Sequence, residues 1–385
     1  MITYKFRLYP KKAEQKKLEI SLEVCRQTYN HLLSKLSEDY TKNEIQNYLL
    51  DLKVVFPEMN NVYSKVLQME NQRLFSNLSS LYKLKKKGRK VGRLRYKGKN
   101  WFKTFTYNQS GFSLEQKSKR GILYFSKIGN IPIKLHRKVE GKIKQITIKK
   151  ALGKWYCSIV TDAVIKRNCG NGEIGIDVGI ENYIYDSNGK SYDNPKHFDN
   201  YYQELKVAQQ SLSRKKKGSN SRRKARVKVA KIHNKIANAR DDFIHKLSTK
   251  LIQENKFIAI EKLNIKNLMS ISYNAKNIAD AGWGKLACYL HYKAENAGCV
   301  VQDVDSSYTT MDCSFCRATN SKLELSQRKF ICKNCKQEIP RDYNSAINIL
   351  FGGKELATME KATNTEQFVQ QVVSMKSEAP SVMVE

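Results

Sequence analysis

Cys313 and Cys316 are separated by two residues, Cys332 and Cys335 repeat that spacing, and 15 residues lie between the pairs. Each pair can chelate one ion from a single tight turn, and a β-hairpin between the turns closes a tetrahedral thiolate site. Four soft sulfur ligands select zinc. Such a site leaves no open position for a substrate, so the expected Zn2+ is structural, and removing it should unfold the ribbon. The other five cysteines, Cys25, Cys157, Cys169, Cys288 and Cys299, are scattered. They read as reduced thiols serving as small core residues.

Seven residues past the second pair stands Asp342, an acid in a basic chain. The 385 residues hold 70 Lys and Arg against 36 Asp and Glu, a net charge of +34. A chain that repels itself so strongly calls for a polyanionic partner, and nucleic acid fits better than a membrane surface. No apolar run of about 18 residues spans a bilayer, and no basic-then-apolar leader opens the chain. A soluble intracellular protein of two or three domains is therefore expected.

Tyr4, Phe6 and Leu8 alternate with charges, the pattern of a half-buried strand stopped by Pro10. Leu18, Leu22, Cys25, Tyr29, Leu32 and Leu36 keep helical spacing, and a second helix is predicted over 62–84. Residues 83–99 carry ten basic residues in 17, followed by Trp101, Phe102, Phe105 and Tyr107. Lys85, Lys86, Lys87, Arg89, Lys90, Arg93, Arg95 and Lys97 are candidates for phosphate contact, and the rings for stacking on bases. From 111 to 162 the pattern is of strands, which with the first strand suggest a small β-barrel; 163–172 reads as a linker.

A second domain begins at EIGIDVG. Its strands alternate with helices, and a hairpin turns at Asn188-Gly189. Residues 200–255 read as helical with a break at 213–228, where Arg214, Lys215, Lys216, Lys217, Arg222, Arg223 and Lys224 are further candidates for nucleic-acid contact. The apolar run 256–263 reads as a buried parallel strand, a helix is expected over 280–297, and GCVVQDVD as another strand.

Three acids sit at element ends of this domain. Asp177 is flanked by Gly175 and Gly179, which leave room for a large ligand to approach; Glu261 ends the apolar strand; Asp342 precedes the apolar helix NSAINIL. A carboxylate ending a buried strand is costly unless paired or bound to a cation. Taken singly, each acid is more commonly a cap or an ion-pair partner. Together they can hold two Mg2+ ions about 4 Å apart for cutting a phosphodiester.

GIDVGIEN, AIEKLNIKNL and RDYNSAINIL resemble the three RuvC motifs of the TnpB family, transposon-associated RNA-guided nucleases of the OrfB zinc-ribbon type. KFRLYP, DAGWGKLACYLHYKAENAG and YTTMDCSFC carry the resemblance over nearly the whole chain. It implies a multidomain α+β protein. Residues 1–10 and 100–165 would form a wedge-type β-barrel, with a helical recognition region inserted at 11–99. Residues 172–310 and 339–353 would form a RuvC, RNase H-like α/β nuclease domain, with the zinc ribbon at 311–338. From 354 to 385 the tail is polar and expected to be disordered.

The resemblance assigns Asp177, Glu261 and Asp342 as catalytic, Mg2+-binding acids, and Cys313, Cys316, Cys332 and Cys335 as zinc ligands. It implies a Mg2+-dependent cutter of double-stranded DNA. The partners would be a noncoding guide RNA and target DNA flanked by a short motif, with one or two protein copies per RNA, in a prokaryotic cytoplasm. Arg317 departs from the family pattern, in which glycine commonly follows the second cysteine. A compact type V CRISPR effector shares this plan, and a non-cutting RNA- or DNA-binding regulator would explain the charge and the zinc but not the acids. No His-rich or tyrosine-nucleophile constellation marks a strand-joining transposase.

Overall fold

The computed structural model describes residues 1–36, 41–164, 168–271, 273–305, 310–321 and 327–377, the side chains of 271 and 360–377 excepted. Residues 165–167 of the linker, 306–309, 322–326 of the ribbon and 378–385 of the tail lie outside the described residues. The chain divides into two units, Met1–Ile165 and Lys166–Glu385.

In the first unit β1 (Ile2–Leu8) buries Tyr4, Phe6 and Leu8 as the alternation predicts. Helices α1 (Lys12–Leu36), α2 (Lys42–Val55) and α3 (Ser64–Lys86) follow. Helix α2 is additional to the predicted pair. A capping box starts it: Thr41 Oγ1 accepts from the Glu44 N–H, and Glu44 accepts from the Thr41 N–H. Strands β2 (Thr104–Asn108), β3 (Phe112–Lys117), β4 (Arg120–Phe125), β5 (Gly129–Lys134), β6 (Ile143–Ala151) and β7 (Lys154–Thr161) join β1 in one antiparallel sheet, in the order β2-β6-β7-β1-β5-β4-β3. Its end strands β2 and β3 are not paired with each other among the described residues. Tyr107 of β2 nonetheless meets Phe125 of β4, with ring centroids 5.0 Å apart, so the sheet curls around its core without closing the ladder.

This curl changes the role of three aromatics. Phe102, Phe105 and Tyr107 are buried in the core, and of the four rings offered for base stacking only Trp101 is exposed. Burial of large rings against two helices is worth more to the fold than their display to solvent. Tyr82 and Tyr96 are exposed beside the basic segment instead.

Glu70 of α3 is fully buried, with its Oε2 2.9 Å from Arg73 Nη1. Burial holds its carboxyl up at about 8, against the opposing pull of Arg73 and of a hydrogen bond with Cys25. The folded protein thus keeps a proton that the unfolded chain loses above about 4.5. The stability that Glu70 contributes is therefore lost as pH rises from that value through about 8. Glu70→Gln should flatten the dependence: between pH 6 and pH 8.5 the parent should lose roughly 2 kcal/mol more than the variant. Urea denaturation at the two pH values measures this, and parallel behaviour of both proteins would assign the dependence elsewhere.

The second unit is built on a mixed five-stranded sheet, in the order β10-β9-β8-β11-β12. Strand β8 (Gly172–Val178) pairs antiparallel with β9 (Asn182–Asp186), which pairs with β10 (Ser191–Asp193); β11 (Asn255–Glu261) runs parallel to β8 and to β12 (Val300–Val304). Helices α4 (His197–Asn200), α5 (Tyr202–Ser213), α6 (Asn220–Glu254), α7 (Ile265–Ile271), α8 (Ala275–Ala281) and α9 (Trp283–Ala297) make the connections. The break expected over 213–228 is confined to residues 214–219, because Ser219 caps α6 by accepting from the Arg222 N–H and the basic stretch after it is helical.

Ile174 and Ile176 of β8 and Ile258 and Ile260 of β11 pack with Ile244, Leu247 and Leu251 of α6 and Leu286 and Leu290 of α9. Helix α10 (Arg341–Ser377) contacts β8, β11 and also β12, where Ile349 packs with Ala259 and Val304. It continues past 354, so residues 354–377 are helical rather than the expected irregular tail. Few of them break helices; Leu356, Ala357, Met359, Glu360 and Lys361 all favour one. Between β12 and α10 the hairpin β13 (Lys329–Ile331) and β14 (Glu338–Pro340) belongs to the ribbon.

Candidate functional site

Asp177 and Glu261 stand near the carboxyl ends of adjacent strands, β8 and β11, and Asp342 stands in the first turn of α10. A glycine brings the helix in. A Cβ at Gly175 would run into the Ala346 carbonyl oxygen and lie 2.6 Å from the Leu350 nitrogen. The room on the Gly175 side of Asp177 is therefore taken by α10, while Gly179 lines a cleft on the other side, and the close approach carries Asp342 toward Asp177. Gly353 repeats the device further along, where a Cβ would lie 2.6 Å from that of Ala259.

Burial, then the negative charges of Glu261 and Asp342, push the Asp177 carboxyl well above the ordinary carboxylate range, with Arg341 opposing. The Glu261 carboxyl is raised by burial and by Asp305. Asp305 stands one residue past the end of β12, which pairs Val304 with Glu261. It has the same sequence signature as Asp177 and Glu261, an acid at the carboxyl end of a strand, yet goes unnoticed when VQDVD is read only as a strand. The acids thus form a field of concentrated negative charge inside a cationic protein. Their oxygens stop short of full convergence: among the described residues only the four cysteines bring three or more ligand atoms within 4.8 Å of one another. The oxygen donors are nonetheless of the kind Mg2+ takes, and a cation would relieve the repulsion at Asp177.

Asp177 and Asp342 open into a cleft of about 790 Å3, lined also by Glu181, Asn194, Lys196, Asp280, Trp283, Arg328 and Arg341. Arg328, from the ribbon, pairs with Glu181 at 2.7 Å. Asp280 is fixed by Arg240 at 2.6 Å and accepts from the Phe198 N–H. The cationic wall of Arg328, Arg341 and Lys196 is invisible to periodicity, because those residues come from three separate segments.

The ribbon holds its four thiols as the spacing predicts. Cys313 Sγ is 3.7 Å from Cys335 Sγ, and Cys316 Sγ is 3.6 Å from Cys332 Sγ. Those separations are too long for a disulfide and match the edge of a tetrahedron, about 3.8 Å, drawn around zinc with ~2.3 Å bonds to sulfur. Backbone N–H groups of Cys335 and Asn334 pull the Cys332 thiol down to about 6, toward the thiolate a metal needs. The remaining thiols follow the core reading except Cys288, which is exposed, and Cys169, which is half-buried.

Lys85, Lys86, Lys87, Arg89, Lys90, Arg93 and Arg95 are exposed at and beyond the end of α3, as are Arg214, Lys216, Lys217, Arg223 and Lys224 around the α5–α6 turn. Lys97 and Lys215 are half-buried. Lys97 Nζ lies 5.5 Å from the Trp101 ring centroid, and its backbone is tied to Asn30 and Arg26. Arg222 is committed within the protein: its Nη1 donates to the carbonyls of Leu212 at 2.9 Å and Lys215 at 2.8 Å, closing the turn. Among the described residues no helix is long and apolar enough to cross a membrane.

Three family models match this chain. Residues 158–272 match OrfB_IS605, described as "Probable transposase"; 283–349 match the Cas12f1-like TNB domain; 1–44 match HTH_OrfB_IS605, a helix-turn-helix domain. A "Putative RNA-guided DNA endonuclease" of Streptomyces pristinaespiralis is 37% identical over 203 residues, covering 52% of this chain and 50% of the relative. "Putative RNA-guided DNA endonuclease InsQ" of Escherichia coli K12 is 28% identical over 377 residues, covering 91% of this chain and 92% of the relative. The cryo-EM structure of a Cas12f1–sgRNA–target DNA complex superposes with a TM-score of 0.58 over 89% of this chain and 83% of that one. At 16% identity this last likeness is one of fold.

Proposed function

We propose that this chain, which matches OrfB and Cas12f1-like family models and aligns over nearly its whole length with a relative named as an RNA-guided DNA endonuclease, is a TnpB-family, RNA-guided, Mg2+-dependent endonuclease of double-stranded DNA serving a transposable element. The observation that carries the reading is the crowding of half-buried Asp177 against the charges of Glu261 and Asp342 in a chain of net charge +34. A protein that only bound nucleic acid would gain nothing from a costly cluster of like charge.

The basic residues at the end of α3 and at the α5–α6 turn hold RNA and DNA by their phosphates. Base pairing with a guide selects the target, and the protein reads a short flanking motif. Asp177, Glu261 and Asp342 are the residues that would hold two Mg2+, which when bound supply an activated water and a counter-charge for the leaving oxygen. Arg328 and Arg341 line the same cleft and are placed to meet a phosphate oxygen there. The four cysteines would hold Zn2+ as a closed structural site. One or two protein copies would serve each RNA.

The chain expressed with its native flanking DNA should co-purify with one discrete RNA that ends in sequence from beyond the element. That RNA should direct cleavage of a matching duplex. Heterogeneous RNA, or none, would overturn the guided reading and leave an unguided nuclease or a binding protein.

A further inference from the structure

The ribbon does more than close around its own metal: it is hydrogen-bonded to the helix that carries Asp342. Asn344, fully buried two residues beyond Asp342, accepts the Ser314 N–H at 2.9 Å and donates to the Asp312 carbonyl at 2.8 Å. Asn348, one turn further and also buried, donates to the same carbonyl at 2.6 Å and accepts from Arg317 Nη1 at 3.2 Å. Ser314 and Arg317 belong to the first cysteine turn, and Asp312 immediately precedes it.

Arg317 sharpens the point. It sits at φ 63°, in the left-handed region. That conformation costs a side chain about 1–2 kcal/mol relative to glycine. Its guanidinium lies 3.7 Å from the Phe351 ring centroid while it donates to Asn348, so the strain is offset by two contacts, both on α10.

The second cysteine turn reaches the same helix by the chain itself. Strand β14 ends at Pro340 and α10 begins at Arg341. Helix α10 is therefore gripped from both halves of the ribbon, by hydrogen bonds from the first turn and covalently from the second. The two halves meet at the four thiols, Cys313 against Cys335 and Cys316 against Cys332.

We propose that Asn344 and Asn348 are positioning residues that fix the height and rotation of the first turn of α10, and so set where the Asp342 carboxylate stands relative to Asp177. The ribbon is then a brace for the acidic site. The inference rests on the reading of Asp342 as a cation-binding acid. Buried side-chain amides suit the role, because each has one acceptor and two donors in a fixed plane, and here both ends are engaged.

The test uses the full chain with its co-purified RNA and the variants Asn348→Ala and Asn344→Asp. The aspartate keeps an acceptor for the Ser314 N–H and turns its other oxygen against the Asp312 carbonyl. Zinc content, retained RNA, Mn2+ binding by calorimetry and the Mg2+ dependence of cleavage are measured together. Both variants should keep one zinc per chain and their RNA. Their affinity for Mn2+ should fall about tenfold, and the Mg2+ needed for half-maximal cleavage should rise by a similar factor. Excess Mg2+ should restore most of the rate, which loss of fold would not allow.

Retained zinc with unchanged Mn2+ affinity would overturn the proposal. Loss of zinc from both variants would overturn it too, since the amides would then serve the ribbon alone. A parent protein that binds Mn2+ but cuts nothing would instead overturn the nuclease reading, and the calorimetric comparison would still decide the role of the amides.

Discussion

Asp177→Ala should lower the rate of DNA cleavage by about a thousandfold or more, the equivalent of roughly 4 kcal/mol of barrier, while RNA binding is unchanged. The alanine removes a donor from the proposed cation site, and the basic residues proposed to hold RNA lie on other elements. The same change should stabilise the metal-free protein. Asp177 is half-buried, and its partial loss of water together with repulsion by Glu261 and Asp342 raises its carboxyl. Taking away one of three crowded carboxylates removes that repulsion, so the thermal midpoint should rise rather than fall. Functional sites commonly carry such strain at the expense of stability. Cleavage by the purified complex, RNA retention and a melting curve give the three readouts. Unaltered cutting would remove Asp177 from the site.

Cys332→Ser should eliminate zinc binding and, with it, the ribbon and cleavage. Structural zinc contributes on the order of 10 kcal/mol to a small metal domain. The ribbon has little else: its core is Cys313, Phe330, Cys332 and Ile339, with Cys316 and Tyr343 packed against it. Unit Met1–Ile165 has its own core and should melt as in the parent. Zinc content by chromogenic titration, together with calorimetry resolving the two transitions, would show this. A serine variant that keeps one zinc and full activity would show that the four thiols do not form the site. Treatment of the parent with a strong chelator should reproduce the loss, and added zinc should reverse it.

The two cysteine pairs, the alternation of β1 and the apolar run of β11 were legible in the sequence because each is a local pattern. A metal clamp needs only its spacing, and a strand or helix shows its buried face in residues two or three to four apart. The acids were legible for a related reason: a charge at the end of an apolar run stands out wherever the run packs. Three things depended on contacts between distant segments. Phe105 and Tyr107 look like stacking rings until the curl of the sheet buries them. Arg222 looks like a phosphate contact until the α5–α6 turn claims its guanidinium. Gly175 looks like space for a ligand until α10, some 170 residues later in the chain, fills that space. Sequence alone marked most of the candidates for carrying chemistry, though not Asp305 or the cationic wall of the cleft. Tertiary structure decided which of them face one another, because α10 packs across β8 at Gly175 and the side-chain amides of Asn344 and Asn348 hydrogen-bond to the ribbon, the contacts proposed above to position Asp342.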